Sequence, residues 1–129
     1  MTDKITVLYD TIRLEEKLLI EAAKKNNFNL EMVDCKKLSI DLNEQSIIDN
    51  PVLQRCVSYY RNLHSTAALE GQGVQVVNCL NTGVFAGNKL FTHMLLQKAG
   101  VPTPNATVAF SKDSALESLK KNGFPKIIK

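Results

Sequence analysis

Glycine and proline together fill only 10 of the 129 positions. That excludes collagen-like and low-complexity Gly/Pro-rich chains. Cysteine occurs three times, at Cys35, Cys56 and Cys79, each more than twenty residues from the next. An odd number at such spacing is neither a disulfide framework nor a zinc-ligand pattern. Aromatic residues make up 6% and do not interleave with basic ones, which argues against a nucleic-acid-binding surface. No apolar run approaches the ~18 residues of a membrane helix. The opening MTDKITVLYD has no long hydrophobic stretch of the secretory kind. The sequence also lacks G-x-G-x-x-G, a Walker loop, H-E-x-x-H and G-x-S-x-G, so the familiar dinucleotide, P-loop, zincin and serine-hydrolase signatures are absent.

What is present is ordinary for a folded protein. Apolar residues reach 44% and charged residues 22%, with a formal net charge of +3, so disorder is excluded as the main state. A domain of this size buries roughly two thirds of its unfolded surface and needs no covalent or metal staple. Each cysteine falls in or beside an apolar segment, which predicts buried free thiols and a reducing, cytoplasmic setting. Charge is uneven along the chain. Residues 1–70 carry 9 basic and 11 acidic side chains, and residues 71–129 carry 7 and 2. The basic second half suits a phosphate-bearing ligand. Lys112, Lys120 and Lys121 also read simply as solvated helix positions, the last two near a helix C-terminus.

The hydrophobic pattern alternates between strand and helix. ITVLY (5–9) reads as a buried strand ending at Asp10. The following RLEEKLLIEAAKKNN places Leu14, Leu18, Leu19, Ala22 and Ala23 at helical spacing. Glu15 and Glu16 lie in its first turn, and Lys24 and Lys25 in its last, each suited to the local dipole. LEMVDC (30–35), VLQRCVS after Pro51, and VQVVN (74–78) read as further strands, with a helix over 59–71. This succession predicts a doubly wound parallel sheet with helices on both faces, Rossmann- or flavodoxin-like. Ligands of such sheets sit outside the carboxyl ends of the strands, here Asp10, Asp34-Cys35, Ser58 and Asn78. NTGVFAG reads as a short helix or turn, and GNKLFTHMLLQKAG as an amphipathic helix ended by G-V-P-T-P. A strand over 107–111, a helix over 113–123 and a strand over 125–129 follow. They predict a domain boundary near Gly100–Pro104.

Candidate chemistry is sparse before any likeness is considered. Arg13, Arg55 and Arg61 are of the type that clamps a carboxylate or phosphate through two parallel hydrogen bonds. Ser58 at a strand end serves either a ligand or the cap of the next helix. His64 and His93 stand alone on helices and read as packing or surface histidines. Lys89 sits in the first turn of its helix, against the dipole, where a bound anion would account for it. Lys129 lies at the end of a buried-looking strand with no obvious partner in the chain.

From Asn78 to Lys129 the succession is a strand ending in Asn, then G-N-K, an amphipathic helix, G-V-P-T-P, a strand, a helix, and a strand ending in lysine. It resembles the entry into an ATP-grasp ligase. Y-D-T-I-R-L-E-E-K-L-L (9–19) and R-C-V-S-Y-Y-R-N-L (55–63) narrow the resemblance to the RimK-related ligases of amino-carrier-protein lysine and arginine biosynthesis. Asn88 stands where relatives commonly have Asp, and it too caps a helix and keeps an acceptor oxygen.

The resemblance implies a pre-ATP-grasp α/β domain over residues 1–100 and the first strand–helix–strand of the central ATP-grasp subdomain over 104–129. It implies ATP and Mg2+ as cofactors, with Lys89 and Lys129 on the nucleotide and its phosphates. The partners would be an amino-acid substrate, 2-aminoadipate or glutamate, and the C-terminal glutamate of a small acidic carrier protein, joined through an acyl phosphate. Arg13, Arg55, Ser58 and Arg61 become candidate contacts of substrate or carrier. In such ligases the glycine-rich loop and the metal ligands follow the position of Lys129, so the 129-residue chain alone is expected to be an inactive N-terminal part. It is expected to be homo-oligomeric or self-associating through an incomplete second sheet. Neither a membrane nor a nucleic acid is expected as a partner. The alternatives are a different RimK-type glutamate ligase, acting on a ribosomal protein or a cofactor, and a stand-alone flavodoxin-like module. Asp10-Thr11-Ile12-Arg13 is a poor match to the phosphate loop or acidic cluster that such a module needs.

Overall fold

A computed structural model describes residues 4–124 and 126–128. The chain divides into two compact units, one up to Met94 and one from Leu95.

The first unit is built on four strands, β1 (Lys4–Tyr9), β2 (Asn29–Asp34), β3 (Val52–Gln54) and β4 (Val76–Val77). They form one parallel sheet in the order β2-β1-β3-β4. Helix α1 (Leu14–Lys25) connects β1 to β2, and α2 (Tyr59–Gly71) connects β3 to β4. Between β2 and β3 runs a single 3-10 turn, Cys35–Lys37, and an irregular segment rather than a helix. Register puts Leu8, Val52 and Val76 on one face of the sheet, where Leu69 of α2 completes a core with Ile48 and Cys56. The opposite face carries Val7, Leu53 and Val77. Helix α1 lies here, and an open groove lined by Leu18, Leu19, Ala22 and Leu53 runs beside it. Val77 remains about half exposed. Both faces thus carry a helix, as the alternation predicts, though α1 covers its face only in part.

Helix α3 (Leu80–Gly87) packs on α2, and α4 (Lys89–Lys98) starts at Lys89. Asn88 caps α4, its Oδ1 accepting from the N–H groups of Leu90 at 3.0 Å and Phe91 at 3.2 Å.

The second unit contains α5 (Lys112–Asn122), opened by a reciprocal Ser111–Ser114 cap and closed at Gly123, whose φ of +66° suits glycine. The strands predicted over 107–111 and 125–129 are not formed among the described residues. Residues 107–109 and 126–128 are unpaired, and Pro125 and Lys129 lie outside the described residues. A strand needs a neighbour to receive its N–H and C=O groups. Val108, Phe110, Ile127 and Ile128 are accordingly exposed. Of the predicted strand–helix–strand, the helix alone is present there.

The thiols also differ in part from expectation. All three cysteines are free, with Cys56 buried and Cys35 half-buried, but Cys79 is exposed at the start of α3. Burial, with Cys35 alongside, pushes the Cys56 thiol far up. The Thr82 hydroxyl, 3.3 Å from Cys79 Sγ, draws the Cys79 thiol down.

Candidate functional site

The chain leaves β1 toward β2 on one side and returns to β3 on the other, so the topological switch point lies between β1 and β3. In open α/β sheets the crevice outside the carboxyl ends at such a point is where ligands bind. The residues at these two strand ends are Asp10, Arg13, Arg55, Ser58 and Arg61, together with Glu16 from the first turn of α1.

Asp10 is buried and organises the chain after β3. Its Oδ1 accepts from the N–H of Val57 at 2.9 Å, and its Oδ2 from the N–H of Ser58 at 3.1 Å and from Arg61 Nη1 at 3.4 Å. Burial works against the charged form. The two backbone N–H groups and the Arg61 guanidinium outweigh it and hold the carboxyl below its ordinary value. Ser58 is spent on the helix: its Oγ accepts from the N–H of Arg61 at 3.4 Å and caps α2.

Glu16 is completely buried, with 0% of its surface exposed. Its Oε2 accepts from the Arg13 N–H at 2.9 Å and from Arg13 Nε at 3.3 Å. Its Oε1 accepts from Arg13 Nη2 at 3.3 Å and from Arg55 Nε at 2.8 Å, and Arg55 Nη2 stands 2.8 Å from the same oxygen as an ion pair. Burial alone would raise this carboxyl. The hydrogen bonds from Arg13 and then Arg55 reverse that and bring it down to about 2. The guanidiniums are not enclosed: 42% of the Arg13 side chain, 30% of Arg55 and 51% of Arg61 remain exposed.

The three candidate arginines thus converge at the carboxyl ends of the central strands β1 and β3, each held by a buried carboxylate. The residues that hold them are the ones sequence reading missed. Glu16 reads from sequence as a dipole-complementary surface acid. Its one local signal is its place three residues after the N-cap Arg13, where a glutamate reaches back to the N-cap N–H. Asp10 reads only as a strand end. Lys89 is exposed at the start of α4, with no ion-pair partner among the described residues. Lys129 lies outside the described residues. His64 stacks on Tyr60, with ring centroids 6.1 Å apart, and its Nδ1 lies 2.8 Å from the Tyr60 carbonyl, a surface role in keeping with its sequence reading. Among the described residues no helix is long and apolar enough to cross a membrane, and no group of three or more His, Cys, Asp or Glu side chains converges as a metal site.

The LysX preATP-grasp domain family matches residues 5–85, more than half of the chain. The chain belongs to this family. Among curated relatives, the glutamate–LysW ligase ArgX of Sulfolobus acidocaldarius is 30% identical over 126 residues, 98% of this chain and 45% of that protein. The alpha-aminoadipate–LysW ligase LysX of Saccharolobus solfataricus is 37% identical over 120 residues, 91% of this chain and 43% of that protein. A solved RimK-domain ATP-grasp protein from Sphaerobacter thermophilus superposes with a TM-score of 0.79 at 26% identity, covering 95% of this chain and 48% of that one. The chain therefore spans just under half the length of the relatives it matches. The sheet with its switch point is the pre-ATP-grasp domain. The resemblance carried by residues 9–19, 55–63 and 78–129 is borne out at the level of family and fold.

Proposed function

We propose that the chain serves as the N-terminal part of a cytoplasmic, ATP-dependent carboxylate–amine ligase in lysine or arginine biosynthesis. In this reading the ligase joins 2-aminoadipate or glutamate to the C-terminal glutamate of a small acidic carrier protein through an acyl phosphate. The observation that carries it is the likeness, over 98% of the chain, to a ligase whose name specifies LysW. The pre-ATP-grasp domain occupies about residues 1–100, and the central ATP-grasp subdomain opens from about residue 104. Lys89, with Lys129, contacts the nucleotide phosphates, where a preorganised cation stabilises transferring phosphoryl charge. Lys89 fits that use: it is exposed in the first turn of α4 and has no ion-pair partner among the described residues. From the resemblance, the magnesium ligands belong to the part of such a ligase that follows the position of Lys129, and no step is routed through the ion here. Arg13, Arg55 and Arg61, supported by Ser58 as the cap of α2, face the amino-acid substrate or the carrier.

The test joins residues 1–129 to the remaining ATP-grasp portion of the Sulfolobus acidocaldarius ArgX relative. ADP release is then measured with carrier, amino acid, ATP and Mg2+. Turnover that requires both carrier and amino acid is expected from the fusion and not from the 129-residue chain alone. Lys89→Ala is expected to raise the KM for ATP about tenfold, the loss of one charge-assisted phosphate contact. Turnover by the isolated chain, or carrier-independent turnover with an unchanged KM in the variant, overturns the reading.

A further inference from the structure

We propose that Glu16 is a positioning residue that converts Arg13 and Arg55 into a two-guanidinium receptor for a ligand carboxylate, with Arg61 beside it as a third contact. This rests on the ligase reading and deepens it by naming the chemistry recognised at the switch point. Three observations carry it.

First, Glu16 is not where a dipole-complementary acid needs to be. Such an acid works from the surface of the first helical turn, as neighbouring Glu15 does. Glu16 is fully buried and takes four hydrogen bonds and a further ion-pair contact from two segments far apart in sequence.

Second, Arg13 and Arg55 both engage Glu16 through the same side, Nε and Nη2. Nη1 of each makes no hydrogen bond among the described residues, and both side chains reach solvent. The Nη1–Nη2 end of each fork is the end that a second carboxylate engages through two parallel bonds. Arg61 meets Asp10 through Nη1 and leaves its Nε unused among the described residues.

Third, the cluster has no excess of charge. Three guanidiniums face Glu16, Asp10 and Glu15, the last 3.8 Å from Arg13 Nε. A ligand carboxylate is drawn here by oriented donors rather than by a positive field.

The third observation gives the test its sign. Glu16→Gln makes the cluster one charge more positive. If the cluster were an unstructured basic patch, that change would strengthen anion binding. If Glu16 positions the forks, it weakens binding. Two carboxylate sources share this chemistry, a free amino dicarboxylate and an acidic peptide end. The probes are therefore L-glutamate and N-acetyl-Glu-Glu, titrated separately into the 129-residue chain and followed by amide chemical shifts. Saturable shifts at residues 10–16 and 55–61 are expected with one of them, and the probe that binds assigns the source. Arg55→Lys keeps the charge and loses the fork, and is expected to raise Kd about tenfold. Glu16→Gln is expected to raise it about fivefold. Circular dichroism verifies that each variant is folded, and Arg61→Gln, at an exposed position, supplies a weaker loss should Glu16→Gln not fold. Failure of both probes to bind, or an unchanged or lower Kd in folded Glu16→Gln, overturns the proposal. The ligase fusion separates the two readings. Carrier-dependent turnover with KM values for carrier and amino acid untouched by Glu16→Gln removes the receptor and leaves the ligase. Specific peptide binding by the chain with no turnover by the fusion removes the ligase and leaves the receptor.

Discussion

Glu16 shows how one residue type changes meaning with its surroundings. In the sequence it is the second of two glutamates at a helix start, and only its place three residues after Arg13 separates it from Glu15. In the fold β3 lies beside β1, so Arg55 arrives from 39 residues away and closes over Glu16. The arginines were legible as anion-clamping types near strand ends. Their carboxylate partners were not, because the pairing depends on strand order rather than on spacing. The pairing also sets a pH dependence. A carboxylate whose value falls from 4.5 unfolded to about 2 folded adds stability that is complete above about 4.5. That stability is lost as pH falls through the window between them. Asp10 and Glu31 are lowered too and act in the same direction. Thermal melts are therefore expected to be level above pH 5 and to drop steadily below it. In Glu16→Gln the melting temperature at pH 7 should lie about 10 °C lower, from about 2 kcal/mol of lost charge-assisted hydrogen bonding. Its fall below pH 4.5 should be shallower than that of the wild type. Parallel curves for the two proteins would show that Glu16 does not carry the acid sensitivity.

At the level of elements, type and order in the first unit were legible from periodicity, while strand ends were not. The apolar pattern extends the third strand to Ser58, yet β3 stops at Gln54. The reason is competition for backbone donors. The Cys56 N–H goes to Gln54 Oε1 at 3.0 Å, and those of Val57 and Ser58 go to Asp10. Side chains from other positions have taken amides that a ladder would have used. Gln54 then donates through Nε2 to Ser65 Oγ at 2.9 Å and Thr66 Oγ1 at 3.0 Å, tying β3 to α2. The α2–α3 contact depends on a missing side chain. A Cβ on Gly87 would stand 2.4 Å from Tyr59 Cε2, whereas one on Gly71, the last residue of α2, meets nothing within 4 Å. Gly87→Ala must swing the Tyr59 ring off α3 and is expected to lower stability by about 1 kcal/mol. Gly71→Ala is expected to raise it by about 0.5 kcal/mol by restricting the unfolded chain. Denaturant melts that moved both variants in the same direction would contradict this account of the contact.

For the molecule as a whole, the parallel sheet was legible because each strand–helix alternation is local and the handedness of the crossovers leaves few arrangements. What local pattern does not decide is whether an apolar segment finds a strand to pair with. The apolar segments at 107–110 and 126–128 read as strands on hydrophobicity alone, yet they are unpaired. Phe110 is 94% exposed, Phe124 80%, Ile127 86% and Ile128 87%. Exposed groups of this size seek cover. Burying a large apolar side chain is worth roughly 2 kcal/mol, so covering four of them gains about 8 kcal/mol. Association itself costs at least ~4 kcal/mol in lost rigid-body freedom. The remainder, about 4 kcal/mol, corresponds to a dissociation constant near the millimolar range. The 129-residue chain is therefore expected to be monomeric when dilute and to self-associate weakly as concentration rises. Light scattering should show an apparent mass that climbs with concentration. A double Ile127→Ser, Ile128→Ser variant should remain near the monomer mass over the same range. If the variant climbs as steeply as the wild type, these residues are not the association surface. The groove beside Leu18, Leu19 and Leu53 on the incompletely covered sheet face then becomes the surface to substitute next.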